Sequence, residues 1–164
     1  MTIRAAIVTL SDKGSAGQRN DQSGEVIRDM ITGIGFSVDH YEILPDEQEL
    51  IIESLKRLSD GGVIDLILTT GGTGVAPRDV TPEATMAVID RVLPGMAEAM
   101  RAESLVKTPH AMISRAVAGI RKQTLIVNLP GSPKAVRENL AVILPALSHA
   151  IEKIKGDTTE CGFS

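Results

Sequence analysis

Residues 66–85, LILTTGGTGVAPRDVTPEAT, decide how this chain is read. The apolar run 66–68 has strand character and opens into Thr69-Thr70-Gly71-Gly72-Thr73-Gly74. An Arg78-Asp79 pair follows, and Thr81-Pro82-Glu83 reads as a helix start, with Thr81 as cap and Pro82 at the first helical position. A strand, a glycine-rich loop with hydroxyls and a helix N-terminus together make a cradle for phosphate or another anion. Gly71, Gly72 and Gly74 are expected to take left-handed angles and turn their N–H groups towards a ligand. Asp79, just beyond, supplies the carboxylate that a divalent cation would need. The same residues also suit a tight strand-to-helix turn whose glycines serve geometry alone.

Outward from this stretch, strands and helices alternate. Residues 3–10, IRAAIVTL, read as a buried strand that opens into a polar loop over 11–21. A helix follows over 23–31, with Val26, Ile27, Met30 and Ile31 on one stripe and Gly33 and Gly35 as its stop. Residues 36–44 read as the next strand, broken by Pro45-Asp46. Asp46 with Glu49 three residues later has the form of a capping box, opening a helix with Leu50, Ile51, Leu55 and Leu58 on one face. Beyond the glycine loop, helices are expected from Thr81, from Pro94 towards Leu105, and across 112–117. TLIVNL, 124–129, reads as another buried strand, and Pro130-Gly131-Ser132-Pro133-Lys134 turns into a long C-terminal helix. That helix keeps Val136, Leu140, Ile143, Leu147, Ile151 and Ile154 in register through Pro145, which is expected to kink or divide it. The alternation specifies an α/β fold, a three-layer α/β/α sandwich around a mostly parallel sheet. One domain over 1–157 and a flexible tail over 158–164 are expected.

Composition narrows the function. The 164 residues are 43% hydrophobic and 23% charged, ordinary for a globular chain. Phe36, Tyr41 and Phe163 are the aromatics, so the core is aliphatic and no platform for stacking bases exists. A net charge of −4 and a pI of 5.4 leave no electrostatic footprint for nucleic acid. Cys161 is the single cysteine and falls in the expected tail, which excludes a disulfide framework. No apolar run approaches the roughly 18 to 20 residues of a membrane span. The opening MTIRAAIVTL lacks the features of a signal peptide, so a cytoplasmic protein is expected.

Ligands of open α/β sheets bind outside the carboxyl ends of the strands. Four strand ends deliver Ser11-Asp12, Pro45-Asp46, residues 70–74 with Asp79, and Asn128 to Ser132. If the strands are neighbours, two carboxylates, several hydroxyls, a glycine cradle and an Asn share one cleft, a set suited to Mg²⁺ and phosphates. Neither GxxxxGK[ST] nor GxGxxG fits the loop, so it is not a P-loop or a dinucleotide fingerprint. Blander roles exist for each residue: Asp46 as a helix cap, Asp79 as an Asx-turn, Ser132 as a cap before Pro133. His40, His110 and His149 show no ligand spacing and are read as structural or surface residues. No GxSxG elbow supports a Ser nucleophile.

TTGGTGVAPRDVTPEAT, with LPDE upstream and ESL, AMISRAVAGIR and LIVNLPGSPKAVREN downstream, resembles the MogA/MoaB family of molybdenum-cofactor biosynthesis. TLSDKGSAG and LPALSHAIEKIKGD fit the same pattern, so the likeness spans residues 3–157. The resemblance implies a molybdopterin adenylyltransferase, in which Mg-ATP and molybdopterin give adenylyl-molybdopterin and pyrophosphate. It implies Asp46 and Asp79 as the catalytic carboxylates and Mg²⁺ ligands. Ser11, Asp12, Thr70, Gly71, Gly72, Thr73 and Gly74 would receive the nucleotide and its phosphates. Ser104, Ser114, Asn128, Pro130, Gly131, Ser132 and Lys134 would receive the pterin. A homotrimer, or a hexamer as in some MoaB-type members, and a partner protein that inserts molybdate are implied as well. A non-catalytic MoaB-type binding protein is the alternative, and competence-damage proteins carry a related domain.

Overall fold

The structure is a computed structural model and describes residues 1–160 and 162. Cys161, Phe163 and Ser164, three of the seven residues of the expected tail, lie outside the described residues. Among the described residues the strands form one six-stranded sheet. Second from one edge is β1 (Arg4–Leu10), buried from Ala5 to Leu10. Parallel neighbours flank it: β2 (Ser37–Leu44) on one side and β3 (Leu66–Thr70) on the other. Next to β3 lies β6 (Thr124–Leu129), also parallel. The sheet ends in an antiparallel corner, β5 (Ala118–Arg121) on β6 and then the two-residue β4 (Arg91–Val92). In this register Leu10 pairs with Leu44, Thr9 with Thr70, and Thr70 with Leu129, so four strand ends open along one edge.

Helices cover both faces. Successive strand residues point to opposite sides, so Ile7, Leu68 and Val127 meet Ile27, Ile31 and Leu140, from α2 (Gln22–Thr32) and α6 (Pro133–Ile154). Met96 and Met100 of α5 (Pro94–Lys107) join that cluster. On the other face Val8, Ile67 and Ile126 meet Ile51, Leu55 and Ala84, from α3 (Gln48–Asp60) and α4 (Thr81–Val88). This is the expected three-layer sandwich around a mostly parallel sheet. No helix among the described residues is long and apolar enough to cross a membrane.

Several local expectations differ from the structure. Residues 112–117 are not a helix: a 3-10 turn, Pro109–Ile113, leads through an extended segment into β5. The β5–β6 hairpin turns on Lys122 and Gln123, and Lys122 takes φ 52°. Its strain is offset by Asp90, whose carboxylate accepts from the Lys122 N–H at 2.7 Å. The polar loop after β1 contains a short helix, α1 (Asp12–Ser15), capped by Ser11 Oγ accepting from Gly14 N. Asp46 is not the cap of α3. Glu47 holds that position without a side-chain bond, and Leu50 is exposed rather than on the buried face. Thr81 is the first residue of α4 and not its cap, because its hydroxyl is drawn back to Gly71 O at 2.9 Å. α6 runs undivided through Pro145, held by buried Leu140 and Ile143 before it and Leu147 and Ile151 after it.

Candidate active site

The edge of the sheet forms a polar cavity of about 760 Å³. Ser11, Asp46, Gly71, Gly72, Asp79 and Ser132 are among its walls, so loops from four strand ends converge as expected. Gly71 and Gly72 take φ 97° and 67°. A side chain on Gly71 would run into Leu10 O, and one on Gly72 into Thr81 Oγ1 and to 3.1 Å from Asp46 Oδ1. Gly74 does not need a left-handed angle; its constraint is contact, since a Cβ there would meet Asp79 Oδ2 at 2.9 Å. Thr70 ties the ends of β3 and β6 by donating to Pro130 O at 2.6 Å. Ser132 accepts from Ala135 N and caps α6, directing that helix's N-terminus at the cavity rim.

Asp46 and Asp12 bind one another's backbone: Asp12 N donates to Asp46 Oδ2 at 3.1 Å and Asp46 N to Asp12 Oδ1 at 3.0 Å. Arg78 then takes both Asp12 oxygens, at 2.6 and 2.9 Å. That fork holds the Asp12 carboxyl below the ordinary carboxylate value. Asp46 moves the other way. Burial lifts its carboxyl above the usual value, the charges of Asp12 and Asp79 add to this, and the bond from the Asp12 backbone opposes it. Asp79 accepts from Ala76 N at 2.9 Å, three residues back, so it closes the loop behind it rather than forming an Asx-turn, and it also lines the cavity. Two half-buried carboxylates beside an open polar space are a suitable donor set for Mg²⁺, which takes one or two carboxylates and fills its remaining positions with phosphate oxygens or water.

A second, less polar cavity of about 260 Å³ lies on the other side of the glycine loop. Thr73 and Gly74 form its near wall, and Met100, Ser104, Ser114 and Pro130 are among the rest. Ser104 Oγ donates to Asn139 Oδ1 at 3.3 Å. Asn128 lines this cavity, but its amide is committed inward: Nδ2 donates to Thr69 and Thr85 hydroxyls at 3.0 and 2.9 Å, and Oδ1 accepts from Val117 N.

Residues 6–149 match the family model described as "Probable molybdopterin binding domain". The chain belongs to this molybdopterin-binding family. Relatives include a protein of Helicobacter pylori named molybdopterin adenylyltransferase, 44% identical over 158 residues, 95% of this chain and 90% of that one. One of the same name from Escherichia coli is 43% identical over 152 residues, 92% of this chain and 78% of that one. Among solved structures, the molybdopterin biosynthesis enzyme MoaB of Thermus thermophilus is 51% identical, with a TM-score of 0.90, 95% of this chain and 98% of that one being covered. CinA of Thermoplasma acidophilum, at 18% identity and a TM-score of 0.67, shares the fold alone.

Within this family member the sequence-predicted residues divide between the two cavities. Ser11, Asp46, Thr70, Gly71, Gly72, Asp79, Gly131 and Ser132 line the polar one. Thr73, Gly74, Ser104, Ser114, Asn128 and Pro130 line the other. Asp12 and Lys134 line neither, and Asp12 instead braces Asp46. His110, read as structural or surface, lines the smaller cavity. Three residues went unread. Arg19 is a cation on the wall of the polar cavity and makes no ion pair among the described residues. Asp21 fastens the wall, accepting from Thr9 Oγ1 at 2.6 Å, Gly24 N at 2.9 Å and the Tyr41 hydroxyl. Arg115 grips the glycine loop from outside both cavities. Arg115 acts on groups far away in sequence that no local motif marks, whereas Asp21 is also the N-cap of α2, a local signal that could have been read.

Proposed function

We propose that this protein is a molybdopterin adenylyltransferase, joining Mg-ATP and molybdopterin to give adenylyl-molybdopterin and pyrophosphate. The observation that carries the reading is the pair of cavities sharing one glycine loop, a polar one that includes the carboxylates of Asp46 and Asp79 and a smaller, less polar one. The terminal phosphate oxygen of molybdopterin attacks the α-phosphorus of ATP. A new P–O bond forms, the α–β bridging P–O bond breaks, and pyrophosphate leaves. The protein's share is alignment of two polyanions and stabilisation of charge.

In this reading Gly71 and Gly72, with Thr70 and Ser11, receive the triphosphate, and Thr73 and Gly74 separate it from the pterin. Ser104, Ser114 and Pro130 border the pterin, and Gly131 and Ser132 meet its phosphate at the junction of the cavities. Asn128 holds that junction together, Asp12 orients Asp46, and Lys134 lies outside both spaces. Asp46 and Asp79 would hold Mg²⁺, which when bound neutralises phosphate charge.

Purified protein incubated with molybdopterin, ATP and Mg²⁺ is expected to release pyrophosphate and adenylylated product. Pterin binding without product under every metal condition would contradict the reading and leave a non-catalytic binding protein. We also infer a cytoplasmic, trimeric protein that hands its product to a molybdate-inserting partner. Exposed Val75, Val106, Met112 and Ile113 support assembly, and sedimentation at equilibrium tests it.

A further inference from the structure

Thr81 holds the start of the loop between the two cavities, and one side chain, Arg115, holds its far end. Arg115 Nε donates to Gly74 O at 2.6 Å and Nη2 to Asp79 O at 2.7 Å, so a single guanidinium spans the segment from Gly74 to the backbone of Asp79. The Arg115 backbone N–H donates to Thr73 O at 2.8 Å. Glu83 of α4 pairs with the remaining face of the guanidinium and is held below its ordinary pKa by it. On the far side, Arg101 of α5 donates to Ala116 O at 2.8 Å and fixes the segment that carries Arg115. Ser114 and Ala116, either side of Arg115, line the smaller cavity, whereas Asp79 lines the polar one. Arg115 itself lines neither.

We propose that Arg115 is a positioning residue that registers the smaller cavity against Asp79, and so sets the approach of one substrate to the other. The proposal rests on the adenylyl-transfer reading. A planar fork is needed to reach two carbonyls at once, and an ammonium cannot replace it. Displacements of about 1 Å at such a site cost on the order of 100-fold in rate. Loss of the fork therefore lowers kcat while leaving the pterin pocket formed.

The test compares wild type, Glu83→Gln and Arg115→Lys by turnover, by binding of α,β-methylene-ATP with Mg²⁺, and by amide hydrogen exchange. Arg115→Lys is expected to lower kcat at least about tenfold, with KM for molybdopterin within about twofold of wild type. Exchange should quicken across 73–79 while the amides of β1, β3 and β6 keep their protection. Glu83→Gln removes one anchor of the guanidinium and should fall between the two in both kcat and loop exchange. Wild-type kcat or wild-type loop exchange in Arg115→Lys overturns the proposal, as does an equal loss of protection in the sheet. Should Arg115→Lys fail to fold, Glu83→Gln decides it: slower turnover with faster loop exchange supports the proposal, and wild-type values for both overturn it. Absence of product from the wild type overturns the adenylyl-transfer reading alone. Exchange and analogue binding then decide the role of Arg115.

Discussion

The larger cavity is walled by strand ends, glycine backbone and carboxylates, and the smaller one by side chains of α5, the 3-10 turn and the start of α6. They touch at residues 72–74 and again along the turn after β6, where Pro130 and Ala135 face the smaller cavity and Gly131, Ser132 and Pro133 the larger. The larger is a product of topology. Parallel strands in register bring their ends to one edge, where unpaired backbone and short polar side chains suit a polyanion. The smaller is a product of packing, and its shape depends on the 3-10 turn and the extended segment between α5 and β5. In the proposed reading, chemistry and recognition are built from different kinds of structure, and each should fail separately.

Substitutions at the polar cavity give the largest test of that separation. Asp79→Asn, and likewise Asp46→Asn, should cut pyrophosphate release by about 100- to 1,000-fold, the usual loss when a charge-stabilising group is removed. Molybdopterin affinity should stay near the wild-type value in equilibrium titration. A parallel loss of pterin binding would show that the cavities are one site. Ala111→Trp fills the smaller cavity from the 3-10 turn and should reverse the pattern. It weakens molybdopterin at least about tenfold, or about 1.4 kcal/mol, while the ATP analogue binds as before.

Arg19→Ala sharpens the comparison within the polar cavity. Loss of a charge-assisted contact to phosphate should raise KM for ATP about tenfold and flatten its dependence on salt, with KM for molybdopterin unchanged. The smallest effect belongs to a site remote from both cavities. Asp60 bridges the end of α3 to Arg121 of β5, at 2.9 Å through each oxygen, and Arg121 and Lys122 hold its carboxyl down to about 2. Because the folded value is depressed, its stabilisation is complete above the unfolded value of about 4 and is lost as pH falls through about 2. Asp60→Asn should lower Tm slightly at pH 7, with the difference vanishing in acid and turnover unaltered.

The contrast between the cavities also explains what the sequence disclosed. Four parallel strands, α2, α5 and α6 were legible, because apolar runs and helical stripes are local signals. The polar cavity followed from them, since strand ends must converge once strands are neighbours. The β5–β6 hairpin was not legible: its turn is Lys122-Gln123, without the Gly, Asn or Asp that usually marks a two-residue turn. Asp46 and Thr81 looked like helix caps by composition, yet tertiary bonds to Asp12 and Gly71 claim them. Arg115 reaches carbonyls 41 and 36 residues away, a relation no periodicity encodes. Ser104 and Ser114 came from resemblance, because spacing alone does not bring α5 and the segment after the 3-10 turn to one pocket.

The most direct measurement follows two labels at once. Protein is incubated with molybdopterin, Mg²⁺ and ATP labelled separately at the α- and γ-phosphorus. Adenylyl transfer places the α-label on the pterin and the γ-label in pyrophosphate, in equal amounts. An α-label that never reaches the pterin, or a γ-label released only as orthophosphate, would contradict the account.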